Sequence, residues 1–205
     1  MNIKQINEKL KNHTPQLLGA ETFKHFSVLV PLVEKADGLH VLFEVRAFNM
    51  RRQPGEICFP GGKVDETDKD EKYTAIRETM EELRITKEQI MHVQPLDYMI
   101  SPFGTIIYPY VGVLHKVSSF TPNQAEVAEV FTVPLEHFKQ TPPERYSVQY
   151  EGKPESTFPF HLIANGEEYN WQTRAMEEYF YYYKDKVIWG LTARILHHFL
   201  EVIES

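Results

Sequence analysis

Phe59-Pro60-Gly61-Gly62, followed downstream by Arg77-Glu78-Thr79-Met80-Glu81-Glu82, is the stretch of this chain whose reading decides the fold. The second part lies in a segment where Ala75, Ile76, Thr79, Met80 and Leu83 recur on one side, which predicts a helix over roughly Lys69 to Leu83. On that helix Glu78 and Glu82 stand one above the other at i and i+4, and Glu81 is three residues from Glu78. Like charges so placed repel, at a cost of about a few tenths of a kcal/mol each when nothing neutralises them. A hard divalent cation such as Mg²⁺ neutralises them, because it takes oxygen ligands. The patch therefore reads as a metal site rather than a solvated acidic face. The glycine turn upstream and the arginine at the head of the cluster favour that reading.

Working outward, Met1 to Lys11 reads as a short amphipathic helix, with Ile3, Ile6 and Leu10 at helical spacing. Phe26–Val33 and His40–Ala47 read as strands, and Phe48–Gly55 as a basic loop carrying Arg51 and Arg52. Ile57–Phe59 reads as a short strand, and Asp65–Asp70 as an acidic loop. Val93–Ile100, Ile106–Lys116 and Glu126–Val133 read as strands, and Pro134 starts a short helix. Tyr146–Tyr150 and Phe158–Ile163 are expected to form a hairpin around Glu151-Gly152-Lys153-Pro154. Tyr179-Phe180-Tyr181-Tyr182-Tyr183 reads as a strand packed on both faces or lying at an oligomer interface. A helix over about Trp189–Ile203 closes the chain. Helices interleaved with mixed strands predict an α/β domain in which helices cover a mixed sheet.

The chain has 205 residues, enough for one domain with a sizeable core. Its net charge is −7, and no basic stripe marks a nucleic-acid or membrane face. No apolar run approaches the roughly 18 residues of a membrane span, and no signal peptide is visible. The lone Cys58 excludes an internal disulfide and suits a reducing, cytoplasmic compartment; among Ile57 and Phe59 it reads as a buried, inert thiol. His197 and His198 are adjacent on a helix and so do not face one ligand together.

Gly62 through Ile85 resembles the Nudix box: a glycine, an acid, then R-E-U-x-E-E-x-G-U with U apolar. Gly62 takes the glycine's place and Asp68 the first acid's, and Arg77-Glu78 and Glu81-Glu82 match. Upstream, Leu42-Phe43-Glu44-Val45-Arg46, Arg51, Gly55 and Phe59-Pro60-Gly61-Gly62 resemble the second signature of the coenzyme A pyrophosphatase branch, L-L-T-x-R-S-x3-R-x3-G-x3-F-P-G-G. Ser101-Pro102-Phe103-Gly104 and Ile188 to Arg194 also look like that branch. The resemblance implies a Nudix α/β/α sandwich over residues 25–205, preceded by a helical extension over 1–24.

The resemblance also implies a reaction: Mg²⁺- or Mn²⁺-dependent hydrolysis of the pyrophosphate of coenzyme A or acyl-coenzyme A, giving 3′,5′-ADP and 4′-phosphopantetheine or its acylated form. Alternatives are another nucleoside diphosphate derivative (a nucleotide sugar or a dinucleotide) and a non-catalytic nucleotide sensor. Sensors of this kind usually lose box carboxylates, whereas Glu78, Glu81 and Glu82 are all retained here. Glu78 and Glu82 are the expected primary ligands, and Glu81 is a further ligand or orients water. Arg77 holds the carboxylates through an i, i+4 pair with Glu81. Glu81, Glu126 and Glu129 are the candidates for general base. Arg46 and Arg51 are candidates to bind substrate phosphates.

Several residues depart from the pattern. Asp68 stands for Glu, so its carboxylate is at most auxiliary; with Asp65, Asp70 and Glu71 it reads as an acid complementing the helix dipole. Thr79 and Arg84 replace an apolar residue and the glycine, so a different helix end is expected at Arg84. Phe43, Glu44 and Ala47 replace L, T and S, which bears on substrate identity. Residues 144–186 form an insertion, a candidate lid or homodimer contact.

Overall fold

The computed structural model describes residues 1–117 and 119–205. In chain order the elements are α1 (Ile3–Lys11), β1 (Lys24–Lys35), β2 (Gly38–Arg46), β3 (Ile57–Cys58), β4 (Gly61–Lys63), α2 (Glu71–Leu83), β5 (Ile90–Pro95), β6 (Met99–Ser101), β7 (Thr105–Leu114), β8 (Val127–Pro134), α3 (Leu135–Gln140), β9 (Glu144–Tyr150), β10 (Arg174–Tyr183), β11 (Lys186–Trp189) and α4 (Gly190–Glu204). Eight of the described strands form one mixed sheet with the central order β3-β2-β1-β7-β5. Strands β1 and β7 run parallel in register from Lys24 opposite Thr105 to Val33 opposite Leu114. Antiparallel partners flank them, with β8 on β2, β4 on β1 and β6 on β7.

Side chains alternate across a strand, so neighbouring residues of the central strands enter different cores. Leu29 of β1 and Leu42 of β2 pack with Ala75 and Leu83 of α2 and with Ile90, Val93 and Leu114. Val30, Val41 and Phe43 face the other way, onto Phe138 of α3 and Ile195, Leu196 and Phe199 of α4. Helices thus cover both faces of a mixed sheet, as expected for an α/β/α sandwich. Each fully buried Leu or Phe side chain contributes about 1.5–3 kcal/mol by area. The sheet is therefore the rigid support from which α2 projects. Helix α1 buries none of its residues, and among the described residues no helix is long and apolar enough to cross a membrane.

Some elements differ from the expectations. The strand expected over Val93–Ile100 is two, β5 and β6, both paired to β7. The hairpin expected between Tyr146–Tyr150 and Phe158–Ile163 is absent. Strand β9 instead pairs antiparallel with β10, Tyr150 opposite Arg174, and Phe160–Leu162 is a single 3₁₀ turn. Long-range pairing with the aromatic strand outcompeted the local turn. In β10, Tyr181 is 2% exposed; on the opposite face Phe180 packs on Tyr146 and Trp189 while Tyr182 is 42% exposed, so that face is only partly covered. Helix α2 ends on Arg84 in the left-handed conformation, φ 52° and ψ 48°. The left-handed cap is therefore retained with arginine in place of glycine, contrary to the expected different end.

Candidate active site

Helix α2 starts where Asp70 caps it, accepting a hydrogen bond from the Tyr73 amide at 2.7 Å. Its inner side, with Ala75, Thr79 and Leu83, is fixed on the sheet, and this sets the heading of every carboxylate that follows. Thr79, where an apolar residue was expected, is fully buried because its hydroxyl donates to the Ala75 carbonyl at 2.6 Å. Glu82 turns inward and is 7% exposed. Glu78 is one turn before it, with its side chain 19% exposed, and Glu81 lies outward at 55%.

The glycine turn meets this helix directly. The Gly61 amide donates to Glu82 Oε2 at 2.8 Å. A Cβ on Gly62 would run into the Glu78 carboxylate, and one on Gly61 would strike the Ser27 carbonyl. Only glycine lets the turn approach this closely.

Arg77 is the organiser of the outer side. Its Nη1 lies 2.9 Å from Glu78 Oε1 and 3.4 Å from Glu81 Oε2, so the expected i, i+4 pair is present. Its principal partner is Asp68, which the sequence reading treated as auxiliary. The Asp68 side chain is 2% exposed. It also accepts from the Thr74 hydroxyl at 2.8 Å and the Asp65 amide at 3.1 Å. Hydrogen bonds from Arg77 hold its carboxyl well below the usual carboxylate range. Asp68 therefore closes the acidic loop onto Arg77 rather than merely complementing the helix dipole.

The inner side is electrostatically unusual. Burial pushes Glu82 up to about 8, with the Gly61 hydrogen bond opposing and the nearby Glu78 and Glu126 charges reinforcing. Burial also raises Glu78, against the pull of Arg77. Glu44 of β2 is raised well above the usual range by burial and by the adjacent Glu82. Arg46 is the cation beside this group, lowering both Glu44 and Glu82. It also lies by Cys58, whose thiol burial nonetheless pushes to about 12, in keeping with an inert residue.

The structure thus gathers Glu78, Glu82, Glu126 and Arg46. It leaves Arg51 exposed in the loop after β2. It also takes Glu129 out of the group, because Lys186 Nζ binds its Oε2 at 2.6 Å. Glu126 is braced by the Asn123 side-chain amide at 3.0 Å. Glu44 is the residue that sequence reasoning missed. Its signal was the alternation in β2: two residues after Leu42, it faces α2.

As they stand, no three His, Cys, Asp or Glu side chains among the described residues converge closely enough to hold a metal ion. Each helix carboxylate turns instead to a protein donor, Glu78 to Arg77 and Glu82 to the Gly61 amide. The donor set itself fits a hard divalent cation. It is all oxygen, half or more buried, and carries more negative charge than Arg46 and Arg77 offset. The bare backbone at Gly62 leaves open the space against Glu78 that a side chain would fill. A cation would offset the burial and the mutual repulsion that raise these carboxyls.

Comparison with known proteins agrees with this arrangement. The NUDIX domain profile matches residues 23–154. The chain is 42% identical over 113 residues to the peroxisomal coenzyme A diphosphatase NUDT7 of Mus musculus, a match spanning 55% of this chain and 48% of that protein. It is 30% identical over 181 residues to the Nudix hydrolase NudL of Photorhabdus laumondii, spanning 88% of this chain and 86% of that one. A MutT/nudix family protein from Enterococcus faecalis shares the fold at a TM-score of 0.54 and 16% identity, covering 100% of this chain and 71% of that one. With its box arginine and glutamates on α2 and its glycine turn against them, the chain belongs to the NUDIX domain family as a Nudix hydrolase.

Proposed function

We propose that this hydrolase cleaves the pyrophosphate of coenzyme A or acyl-coenzyme A in a reaction dependent on Mg²⁺ or Mn²⁺. Water forms a new P–O bond, the P–O bond to the bridging oxygen breaks, and the products are 3′,5′-ADP and (acyl-)4′-phosphopantetheine. The observation that carries the reading is Arg46. It stands at the spacing of the coenzyme A signature from Gly62, and it is the cation beside the buried carboxylates Glu44 and Glu82. The name of the mouse relative, a coenzyme A diphosphatase, supports the same substrate.

When bound, a divalent cation shields the phosphate charges and lowers the pKa of a water. Glu78 and Glu82 would hold it. Arg77 fixes the side chains of Glu78 and Glu81, and Glu81 orients water at the exposed rim. Glu126, on the loop facing Glu78 and Glu82, takes the proton from the attacking water as general base. Arg46 and Arg51 bind the anionic phosphates through charge-assisted hydrogen bonds.

The test is incubation of the protein with coenzyme A and Mg²⁺ or Mn²⁺, with products identified by mass spectrometry. A parallel panel of nucleotide sugars and dinucleotides supplies the comparison. The highest kcat/KM on coenzyme A species is expected. Preference for another nucleoside diphosphate derivative would place the enzyme in a different branch of the family.

A further inference from the structure

Glu44 sits in the middle of β2, opposite Cys58 of β3 and Val130 of β8. It is 1% exposed, and its Oε1 has no hydrogen-bond partner among the described residues. Buried carboxylates are normally paired, hydrogen-bonded or bound to metal, because an unpartnered charge away from water is costly. Alternation along β2 turns Glu44 toward α2, and the groups beside it are Glu82, Glu126 and Arg46. Its side chain therefore meets the carboxylate group from the strand side.

We infer that Glu44 is a ligand of the divalent cation held by Glu78 and Glu82, so that the ion is gripped between strand β2 and helix α2. This rests on the metal-dependent reading above and goes beyond it, since the box carboxylates all come from one helix. A strand-borne ligand ties the helix to the sheet through the ion. Cation binding should therefore stiffen the packing of α2 on the sheet as well as prepare the site for substrate.

The test measures Mn²⁺ binding to the full chain by electron paramagnetic resonance, without substrate. Glu44→Gln keeps the shape and removes the charge. Glu44→Met removes both oxygens at similar volume. Glu136→Gln, at an exposed position of α3, is the control. At least about tenfold weaker Mn²⁺ binding is expected for Glu44→Gln, more for Glu44→Met, and no change for Glu136→Gln. The Mn²⁺-dependent rise in melting temperature should shrink in the same order, while the metal-free variants melt at or above the parent, because the buried carboxyl crowded against Glu82 is gone. Parent-like Mn²⁺ affinity in either folded Glu44 variant overturns the assignment of Glu44 alone. A parent protein that binds no Mn²⁺ overturns it together with the metal-dependent reading.

Discussion

Arg77 grips Asp68 with two parallel hydrogen bonds, Nε to Oδ1 at 3.0 Å and Nη2 to Oδ2 at 2.9 Å, while its remaining nitrogen reaches Glu78. The fork fixes the guanidinium plane, and that plane fixes the outer carboxylates. Asp68→Asn keeps the volume and leaves Arg77 short of an acceptor. A loss of about 1–3 kcal/mol in unfolding free energy is expected from urea denaturation at pH 7. The carboxyl is depressed in the folded state, so its contribution is present above the unfolded pKa of about 3.9 and is lost as pH falls through the folded value. The gap between parent and variant should therefore narrow below about pH 4. A constant gap across that range would show that the charge is not what Arg77 reads.

Gly62→Ala tests the close approach of the turn to α2. The added methyl collides with Glu78, which must swing away. A displacement on the order of 1 Å at a catalytic group costs up to about a hundredfold in rate. A fall of at least about tenfold in kcat/KM is expected, with a normal circular dichroism spectrum. Full turnover in the variant would show that Glu78 does not need its present position.

On the proposed mechanism, removing the divalent cation or the Glu82 carboxylate should abolish hydrolysis. Excess chelator is expected to stop turnover, and Mg²⁺ or Mn²⁺ to restore it. Glu82→Gln should lower kcat by at least about a hundredfold, an effect comparable to the loss of a strong electrostatic contact in the transition state. Activity that survives chelation would remove the metal from the mechanism.

Arg84 pays for a left-handed cap that glycine adopts freely. Arg84→Gly is expected to stabilise the fold by about 0.5–1 kcal/mol, the relief of strain being partly offset by the greater freedom of glycine in the unfolded chain. The urea midpoint should rise. An unchanged or lower midpoint would mean that Arg84 makes compensating contacts through its side chain.

His197 on α4 binds the Tyr181 hydroxyl through Nδ1 at 2.9 Å and lies against the Tyr179 ring at 4.3 Å. Burial lowers its pKa, while Glu201 and Glu177 oppose this and Arg145 and His198 add to it. The unfolded chain then binds more protons than the folded one just below the ordinary value of about 6.5. Stability is complete above that pH and falls as pH drops through the window. Urea unfolding between pH 7 and 5 should show this slope, and His197→Gln should flatten it. An NMR titration giving His197 a pKa above 6.5 would reverse the sign and sink the account.

Much of the site was legible because it is local. A helix spaces Glu78, Glu81 and Glu82 by covalent geometry, and the residues after Asp70 needed only a cap and an apolar side to become that helix. The turn at Gly61-Gly62 was legible for the same reason. Arg84 misled because a residue was read for its preference, whereas the next residue, Ile85, is buried in the core and bonds back to the Met80 carbonyl, which goes with a left-handed turn at Arg84. The supposed hairpin after Tyr150 failed because strand pairing is chosen among all edges of the molecule, and β10 offered a longer partner than Phe158–Ile163.

The order of residues alone therefore determined the identity of the box, the helix that carries it and the two faces of each central strand, since backbone periodicity needs no partner. Tertiary structure decided which charges share one low-dielectric space. It set Asp68 on Arg77, withdrew Glu129 to Lys186, and brought Glu44 of β2 to Glu82 of α2. Those meetings depend on the closing of strand against helix, and burial there raises the cost of every unpaired charge in a way no linear spacing records.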